Sequence, residues 1–414
     1  MATPSGFHAR RAALRLLDAV LRRGETLEQA SAAALADVRK APDKALARAI
    51  AGEVLRWLTD LDALIDGATA RPLPPDAKAR QVLRLMLAQW LRLDTPPHAV
   101  LATGLELLSA GPRRLAHGVF STLTKRNAAL PDAPTLPEAV VVRWGDRAPT
   151  IAAGLAEPPP LDLSLRDAAE TGLWATRLAA DSLAPGNLRL PRGAAVEALP
   201  GFAEGAWWVQ DLAASLSARL LGTGASDTGS RHVLDLCAAP GGKTLQLAAA
   251  GWQVTALDIS KRRLELLRDN LKRTGLKAGI VRADALAWEP KHRFDAILLD
   301  APCTATGTAR RHPDVLHRIG ARQIAELAEL QRELIERAAS WLKPGGRLVY
   351  AVCSLEREEG EDQAASIAMT PDPIRADELP EGLAPTSYGW LRTDPGMLAA
   401  AGGLDGFFIA RFRA

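Results

Sequence analysis

Cysteine is scarce in this 414-residue chain, which contains only Cys237, Cys303 and Cys353. Three widely spaced cysteines argue against a disulfide framework and favour a reducing, cytoplasmic compartment. Their spacing is not that of metal ligands, so no metal site is predicted. The simplest role for any single cysteine is that of a small buried apolar residue. All three, however, follow predicted strands in the same half of the chain, and that shared placement favours a chemical role.

Long apolar runs and complete nucleotide-binding fingerprints are also missing. No stretch of eighteen apolar residues predicts a membrane span, and the N-terminus up to Arg11 lacks the apolar core of a secretion signal. Gly242-Lys243-Thr244 matches the end of a Walker loop, but Cys237 stands where its first glycine is required. The dinucleotide pattern G-x-G-x-x-G is absent as well. A polyphosphate ligand is therefore not favoured.

The length and apolar content of the chain predict two or three domains with substantial cores. Residues 1–145 have apolar positions at helical spacing and carry 20 Lys and Arg against 14 Asp and Glu. We predict a helical, RNA-binding domain there, because a basic surplus suits an anionic polymer, although such a surplus can also be a solvated face. Residues 146–228 are predicted to form a smaller α+β linking segment that contacts RNA. The Trp207-Trp208 pair within it is assigned to core packing rather than to base stacking.

The apolar spacing also places individual elements. Helices of the first domain are predicted over 9–21, 44–64, 79–93, 98–109 and 113–126. Across 229–414 strands and helices alternate, which predicts a Rossmann-like α/β domain with a doubly wound, mostly parallel sheet. Its strands are predicted at 233–236, 254–257, 279–282, 296–299 and 347–352. A last strand at 406–412 is expected to close one edge of the sheet in antiparallel orientation.

Acidic residues and cysteines follow the predicted parallel strands, at the edge where such sheets bind ligands. They are Asp235 with Cys237, Asp258, Asp284, Asp300 with Cys303, and Cys353. A rim of carboxylates suits a cationic, hydroxyl-rich cofactor, which favours S-adenosylmethionine. Asp258 is placed to accept the hydroxyls of a ribose and Asp284 to accept from an adenine edge. The alternative role for both residues is helix N-capping.

Two thiols and one carboxylate, from Cys303, Cys353 and Asp300, are expected to meet beside the cofactor. C5 of a pyrimidine is too weak a nucleophile to take a methyl group directly. A thiolate that adds at C6 turns C5 into an enamine-like carbon, an acid near N3 stabilises the adduct, and a base later removes the C5 proton. Methylation of an amino group or of a ribose needs neither cysteine. The residues alone leave open which cysteine attacks.

Three motifs, taken as a set, resemble those of the RNA cytosine-C5 methyltransferases, the Sun/Fmu/Nop2 group. They are D-L-C-A-A-P-G-G-K-T from Asp235 to Thr244, D-A-P-C from Asp300 to Cys303, and V-C-S from Val352 to Ser354. The front domain resembles the NusB-like helical domain of the bacterial 16S rRNA branch of this family, through 96–100 and 119–126. Together these similarities span most of the chain.

The resemblance implies a role for each matching residue. Cys353 is implied as the attacking thiol, Cys303 as an aid to product release, and Asp300 as a contact to cofactor and base. The expected cofactor-binding residues are Cys237, Ala238, Ala239, Pro240, Gly241, Gly242, Lys243, Asp258, Arg263, Asp284 and Asp300. The implied product is 5-methylcytosine at cytosine 967 of 16S rRNA, made by a monomer without a metal. The alternatives are the same chemistry on tRNA or 23S rRNA, and a non-enzymatic RNA-binding or antitermination factor.

Overall fold

The computed structural model describes residues 6–226 and 229–414. The chain divides into two compact units. The first comprises the residues up to Glu157 together with Ala309–Ile319, and the second comprises Pro158–Thr308 and Gly320–Ala414. The predicted boundary at residue 228 lies outside the described residues.

The first unit is helical, and its helices pack around one apolar core that includes Leu16, Ile50 and Phe120. Before residue 158 they are α1 (Phe7–Arg23), α2 (Leu27–Ala34), α3 (Ala41–Arg56), α4 (Leu58–Asp66), α5 (Lys78–Arg92), α6 (Pro97–Gly104), α7 (Ala110–Lys125), α8 (Glu138–Trp144) and α9 (Ala148–Leu155). The burial of whole apolar faces supplies most of the stability of such helices.

One predicted helix of this unit is wrong. The segment 44–64 forms two helices, because the backbone of Trp57 leaves helical geometry (φ −107°, ψ 21°) between α3 and α4. Trp57, Leu61 and Ile65 are all buried, so the apolar spacing continues through the break and hides it. Helix α2 was not predicted, although Thr26 and Gln29 form a capping box at its start.

The second unit contains the sheets. Its strands are β1 (Leu161–Leu165), β2 (Asn187–Leu190), β3 (Trp207–Val209), β4 (Ala225–Ser226), β5 (Gly229–Ser230), β6 (His232–Leu236), β7 (Gln253–Asp258), β8 (Gly279–Arg282), β9 (Phe294–Asp300), β10 (Leu342–Val352), β11 (Thr370–Pro371), β12 (Leu391–Thr393) and β13 (Phe407–Arg413). The remaining helices are α10 (Thr171–Leu178), α11 (Leu212–Arg219), α12 (Gly242–Ala249), α13 (Lys261–Thr274), α14 (Val315–Arg318, in the first unit), α15 (Ala321–Ser340) and α16 (Glu361–Ser366).

The large sheet has the order β8-β7-β6-β9-β10-β13-β11. Strands β6 to β10 are parallel, and β13 runs antiparallel to β10. The chain steps outward from β6 to β8 and then returns to place β9 on the other side of β6. The strand order therefore reverses between β6 and β9, which opens a ligand crevice at the carboxyl ends of these two strands. The predicted fold class is confirmed.

The expectation that the last strand closes the sheet edge is wrong. Strand β13 is antiparallel as predicted, but β11 and β12 both pair with its outer side. These strands have two and three residues, too few to show a period of two. Pro371 in β11 is tolerated because an edge strand needs hydrogen-bond donors on one side only.

The linking segment forms a three-stranded antiparallel sheet in the order β2-β1-β3. Trp207 and Trp208 of β3 are 0% and 3% exposed, so the assignment of this pair to core packing is confirmed. In the described part of the chain, no helix has the length and apolarity needed to cross a membrane.

Candidate active site

The loop between β6 and α12 is held against the end of β7. The backbone N–H of Ala238 donates to the carbonyl of Leu257 at 3.0 Å, and that of Ala239 donates to Asp258 Oδ2 at 3.0 Å. Cys237 and Gly241 have positive φ angles of 64° and 108°. A side chain at Gly241 would overlap the Leu267 side chain of α13. Because no side chain is tolerated at Gly241, the main chain of this loop can come close to a cofactor bound in the crevice.

Asp258 organises the loop from the neighbouring strand. Besides Ala239, it accepts a hydrogen bond from the backbone N–H of Ser260 at 2.8 Å, and it is only 4% exposed. The N-cap of α13 is Ser260, whose hydroxyl accepts from the N–H of Arg263. Each carboxylate oxygen of Asp258 has a second lone pair, so it can still accept a ribose hydroxyl. The guanidinium of Arg263 donates to the carbonyl of Ala239 and closes this ring of contacts.

Asp284 lies beyond the end of β8, with its side chain exposed. Its Oδ1 accepts from the N–H of Leu286 at 3.0 Å, and it begins a turn rather than a helix. Its other oxygen faces no hydrogen-bond donor among the described residues. The position therefore leaves a carboxylate oxygen for a ligand at this edge of the crevice.

Among the four acidic residues of the rim, Asp235 is the one that a ligand cannot reach. It is fully buried inside β6 and accepts from the hydroxyl of Thr244. Burial raises the pKa of Asp235 to about 7, although that hydrogen bond opposes the change. Asp235 thus lies behind the loop, where it fixes the first turn of α12.

Lys243 connects the loop to the end of β9. Its Nζ donates to Asp300 Oδ2 at 2.7 Å, and it lies 5.2 Å from the centroid of the Phe407 ring. Burial lowers the pKa of Lys243, but the charge of Asp300 and the hydrogen bond to it raise that pKa more, and negative charge on Cys353 adds to the rise. The site therefore contains a firmly protonated ammonium group next to the thiols.

The two cysteines of the rim meet. Cys303 Sγ lies 3.4 Å from Cys353 Sγ, and both residues are partly buried. The pKa of the Cys303 thiol is raised well above its usual range by its interaction with Cys353, by burial and by the charge of Glu359. The pKa of the Cys237 thiol is raised as well, chiefly by burial, and Cys237 lies in the loop. Within residues 6–226 and 229–414, no group of acidic, His and Cys side chains is arranged as a metal site.

The sequence did not point to Glu359, which is fully buried behind the two cysteines. It follows the exposed Glu358 in a short charged stretch after the Cys-Ser motif. Nothing in the spacing separates a buried glutamate from its exposed neighbour there, because the segment belongs to no regular element.

A mostly parallel sheet with a glycine loop facing acidic strand ends is the architecture of S-adenosylmethionine-dependent methyltransferases, and comparisons with known proteins support that class. The 16S rRNA methyltransferase RsmB/F family model matches residues 225–413, and the NusB family model matches residues 8–114. The ribosomal RNA small subunit methyltransferase B of Klebsiella pneumoniae subsp. pneumoniae is 38% identical over 399 residues, covering 89% of this chain and 90% of that protein. The chain belongs to the ribosomal RNA small subunit methyltransferase B family, which confirms the resemblance seen in its motifs.

Two solved structures share the fold. PH0851 superimposes with a TM-score of 0.71 at 24% identity, over the whole of both chains. NSun6 from Pyrococcus horikoshii, solved with SFG, gives a TM-score of 0.57 at 20% identity over 67% of this chain and 98% of that one. SFG is an analogue of S-adenosylmethionine. The match to a methyltransferase family is what supports S-adenosylmethionine as the cofactor of this chain. The close-approach loop and the carboxylates of Asp258 and Asp284 fit its hydroxyls and cationic centre.

Proposed function

We propose that this chain forms 5-methylcytosine in small-subunit ribosomal RNA, at cytosine 967. The observation that carries the proposal is the pair of sulfur atoms 3.4 Å apart in Cys303 and Cys353, beside the ion pair of Lys243 and Asp300. Methylation of an amino group or of a ribose uses neither thiol, whereas methylation at C5 of a pyrimidine uses a thiol as nucleophile. The small-subunit RNA and its nucleotide are inferred from the family to which the chain belongs.

The surroundings of the two thiols favour Cys353 as the nucleophile. Negative charge on Cys353 is one of the causes of the raised pKa of Lys243, which is an attraction between the two groups. Negative charge on Cys303 is disfavoured, because its interaction with Cys353, then burial, and then the Glu359 carboxylate all raise the pKa of that thiol. Because the Lys243 ammonium attracts charge on Cys353, we infer that Cys353 is the nucleophile of the pair.

The first step joins the protein to the base. Cys353 Sγ forms a bond to C6, the electron pair of the C5–C6 double bond moves onto C5, and charge develops toward N3. A proton held by the Asp300–Lys243 pair neutralises that charge. When bound, S-adenosylmethionine supplies the electrophilic methyl group that C5 takes up.

The second step releases the product. The N3 proton returns to the Asp300–Lys243 pair. Removal of the C5 proton then returns its electron pair to the ring, the C5–C6 double bond re-forms, and Cys353 leaves as a thiolate. Cys303 is suited to take this proton. The largest cause of its raised pKa is the interaction with Cys353, and that interaction is weakened while Cys353 is bonded to C6. Cys303 can then lose its own proton to water, and the resulting thiolate takes the proton from C5.

The roles of the three segments belong to the same proposal. We infer that residues 1–145 bind RNA, that 146–228 link and contact RNA, and that 229–414 catalyse. The match of residues 8–114 to the NusB family and the basic surplus of the front segment support the first role. We expect a monomer that works without a metal in the cytoplasm, and we expect its RNA affinity to fall as salt rises. The target base must be unstacked to reach the thiols.

The test is methyl transfer to purified RNA, followed by nucleoside mass spectrometry. 16S rRNA, 23S rRNA and tRNA, each purified free of protein, are incubated separately with S-adenosylmethionine. We expect label in 16S rRNA alone, as 5-methylcytosine at position 967. Label in tRNA or 23S rRNA would move the same chemistry to another substrate, and methyl groups on ribose or on an exocyclic amine would overturn the proposal. RNA binding without any transfer would favour the antitermination alternative.

A further inference from the structure

Glu359 is a fully buried carboxylate placed among four segments of the second unit, which contains both cysteines. These are the loop after β9, which carries Cys303; the loop after β10, which carries Cys353; helix α15; and strand β10 itself. A buried carboxylate is costly unless hydrogen bonds satisfy it, and burial does raise the pKa of Glu359. Its position behind both thiols therefore calls for a structural reason.

Hydrogen-bond donors from three of these segments converge on the carboxylate. Oε1 accepts from the backbone N–H of Thr304 at 2.9 Å and from Gln331 Nε2 at 3.0 Å. Oε2 accepts from the hydroxyls of Ser354, at 2.5 Å, and of Thr304. Both oxygens act as acceptors, which matches an ionised carboxylate. The fourth segment joins through the hydroxyl of Tyr350, which donates to the backbone carbonyl of Glu359 at 2.5 Å.

The residues tied by this carboxylate are the direct neighbours of the two cysteines. Thr304 follows Cys303, and Ser354 follows Cys353. The hydroxyls of Thr304 and Ser354 also lie 3.2 Å from each other. The side chain of Glu359 thus acts as one clamp across both loops. It holds each loop at the residue directly adjacent to the cysteine.

We propose that Glu359 is a positioning residue, which sets the separation and direction of the Cys303 and Cys353 sulfur atoms through Thr304 and Ser354. It touches neither base nor cofactor. As a statement about catalysis this inference rests on the proposed function. Without the clamp the loops keep their backbone contacts, such as the N–H of Gly307 to the carbonyl of Cys353 at 3.1 Å. The loops should then loosen rather than unfold, and a displacement of about 1 Å at reacting atoms can cost roughly 100-fold in rate.

Three substitutions test whether the hydrogen bonds of the Glu359 side chain position the two cysteines. Glu359→Ala removes these hydrogen bonds. Glu359→Gln keeps an oxygen for the two N–H donors, and the hydroxyls of Thr304 and Ser354 can rotate to accept from its amide. Glu358→Ala is the matched control, because this neighbouring glutamate is exposed. We expect kcat to fall about 100-fold in Glu359→Ala, to stay within about tenfold of wild type in Glu359→Gln, and to be unchanged in Glu358→Ala.

A second measurement reports the geometry without RNA or methyl donor. Diamide oxidises two adjacent thiols to a disulfide and is itself reduced to the hydrazine. The rate of Cys303–Cys353 disulfide formation, followed by peptide mass spectrometry, should fall at least about tenfold in Glu359→Ala and little in Glu359→Gln. Calorimetric binding of S-adenosylhomocysteine should be unchanged in all three variants, which shows that the second unit has folded. If Glu359→Ala does not fold, Thr304→Val replaces it, with the same direction of change expected.

The outcomes distinguish the two proposals. Unchanged methylation and unchanged disulfide formation in the folded clamp variant would overturn the positioning role, whatever reaction the chain performs. Slower disulfide formation in Glu359→Ala, together with a wild-type chain that makes no 5-methylcytosine, would leave the clamp standing and remove the proposed function. If Glu359→Gln is as slow as Glu359→Ala in both methylation and disulfide formation, the hydrogen-bond geometry of the clamp does not set these rates, and the positioning role is overturned.

Discussion

The ammonium of Lys243 and the carboxylate of Asp300 form an ion pair, with 2.7 Å between Nζ and Oδ2. The pair joins the first turn of α12 to the end of β9, on the two sides of the point where the strand order reverses. It therefore connects the loop between β6 and α12 to the Pro-Cys motif in one contact. Its side chains are 11% and 29% exposed, so water screens the interaction less than it would at the surface.

Replacement of Lys243 by Met should lower kcat about 100-fold or more. The variant removes the cation beside Cys353 and leaves Asp300 without its partner, and loss of one preorganised charge contact typically has this effect. Single-turnover methylation measures the change. Lys261→Met, at the exposed start of α13, is the control and should behave as wild type. A Lys243→Met enzyme with more than half of the wild-type rate would contradict the role given to the ammonium.

The alanine variants of the two cysteines should lose activity at different steps. Cys353→Ala should lose at least about 1,000-fold in activity and form no adduct, because nothing else bonds to C6. Cys303→Ala should accumulate a covalent RNA adduct, because addition proceeds while release is slow. A denaturing gel with labelled RNA shows the adduct, and the double variant should show none. The reverse pattern would exchange the assignments of nucleophile and base.

The pH dependence of stability should reflect Asp235. Its pKa is about 7 in the folded chain against an ordinary 3.8, so the folded state binds the proton more tightly than the unfolded state does. The free energy of unfolding therefore falls as pH rises from about 4 to about 7 and levels off above that range. Asp235→Asn removes this loss, which is bounded by about 4 kcal/mol, while its amide oxygen still accepts from Thr244.

Thermal unfolding midpoints between pH 5 and pH 8, which cover the upper part of this range and the plateau above it, measure the effect. Asp235→Asn should be the more stable protein at pH 8 and should show the flatter profile. Asp269→Asn, an exposed position on α13, is the control and should follow the wild-type profile. A wild-type midpoint that rises across this range would contradict a protonated, buried Asp235.

Gly241→Ala tests the close-approach loop. The φ angle of 108° and the overlap of an added methyl group with Leu267 should cost about 2 kcal/mol in unfolding free energy and at least tenfold in affinity for S-adenosylhomocysteine. Chemical denaturation and calorimetry measure the two effects. Gly172→Ala, in the exposed helix α10 with open space around it, is the control and should be neutral or stabilising. Unchanged affinity in Gly241→Ala would exclude the loop from the cofactor site.

Much of the fold follows from local pattern. The alternation of strands and helices after residue 229 predicts the parallel sheet, and its strand ends predict where the acidic and thiol groups lie, because one edge collects the carboxyl ends of all parallel strands. Local pattern fails where packing decides. The break at Trp57 is invisible because apolar spacing continues on both sides of it, and the strands outside β13 are too short to show a period.

The sequence by itself determined the family, the class of fold and the set of residues at the rim, because these depend on nearby residues and on strand topology. Tertiary structure alone decided which rim groups are reachable and which are neighbours. Asp235 turns inward, Cys303 and Cys353 come within 3.4 Å, and Glu359 is buried behind both. Burial and through-space distance arise between segments that are far apart along the chain, and a linear pattern contains neither quantity.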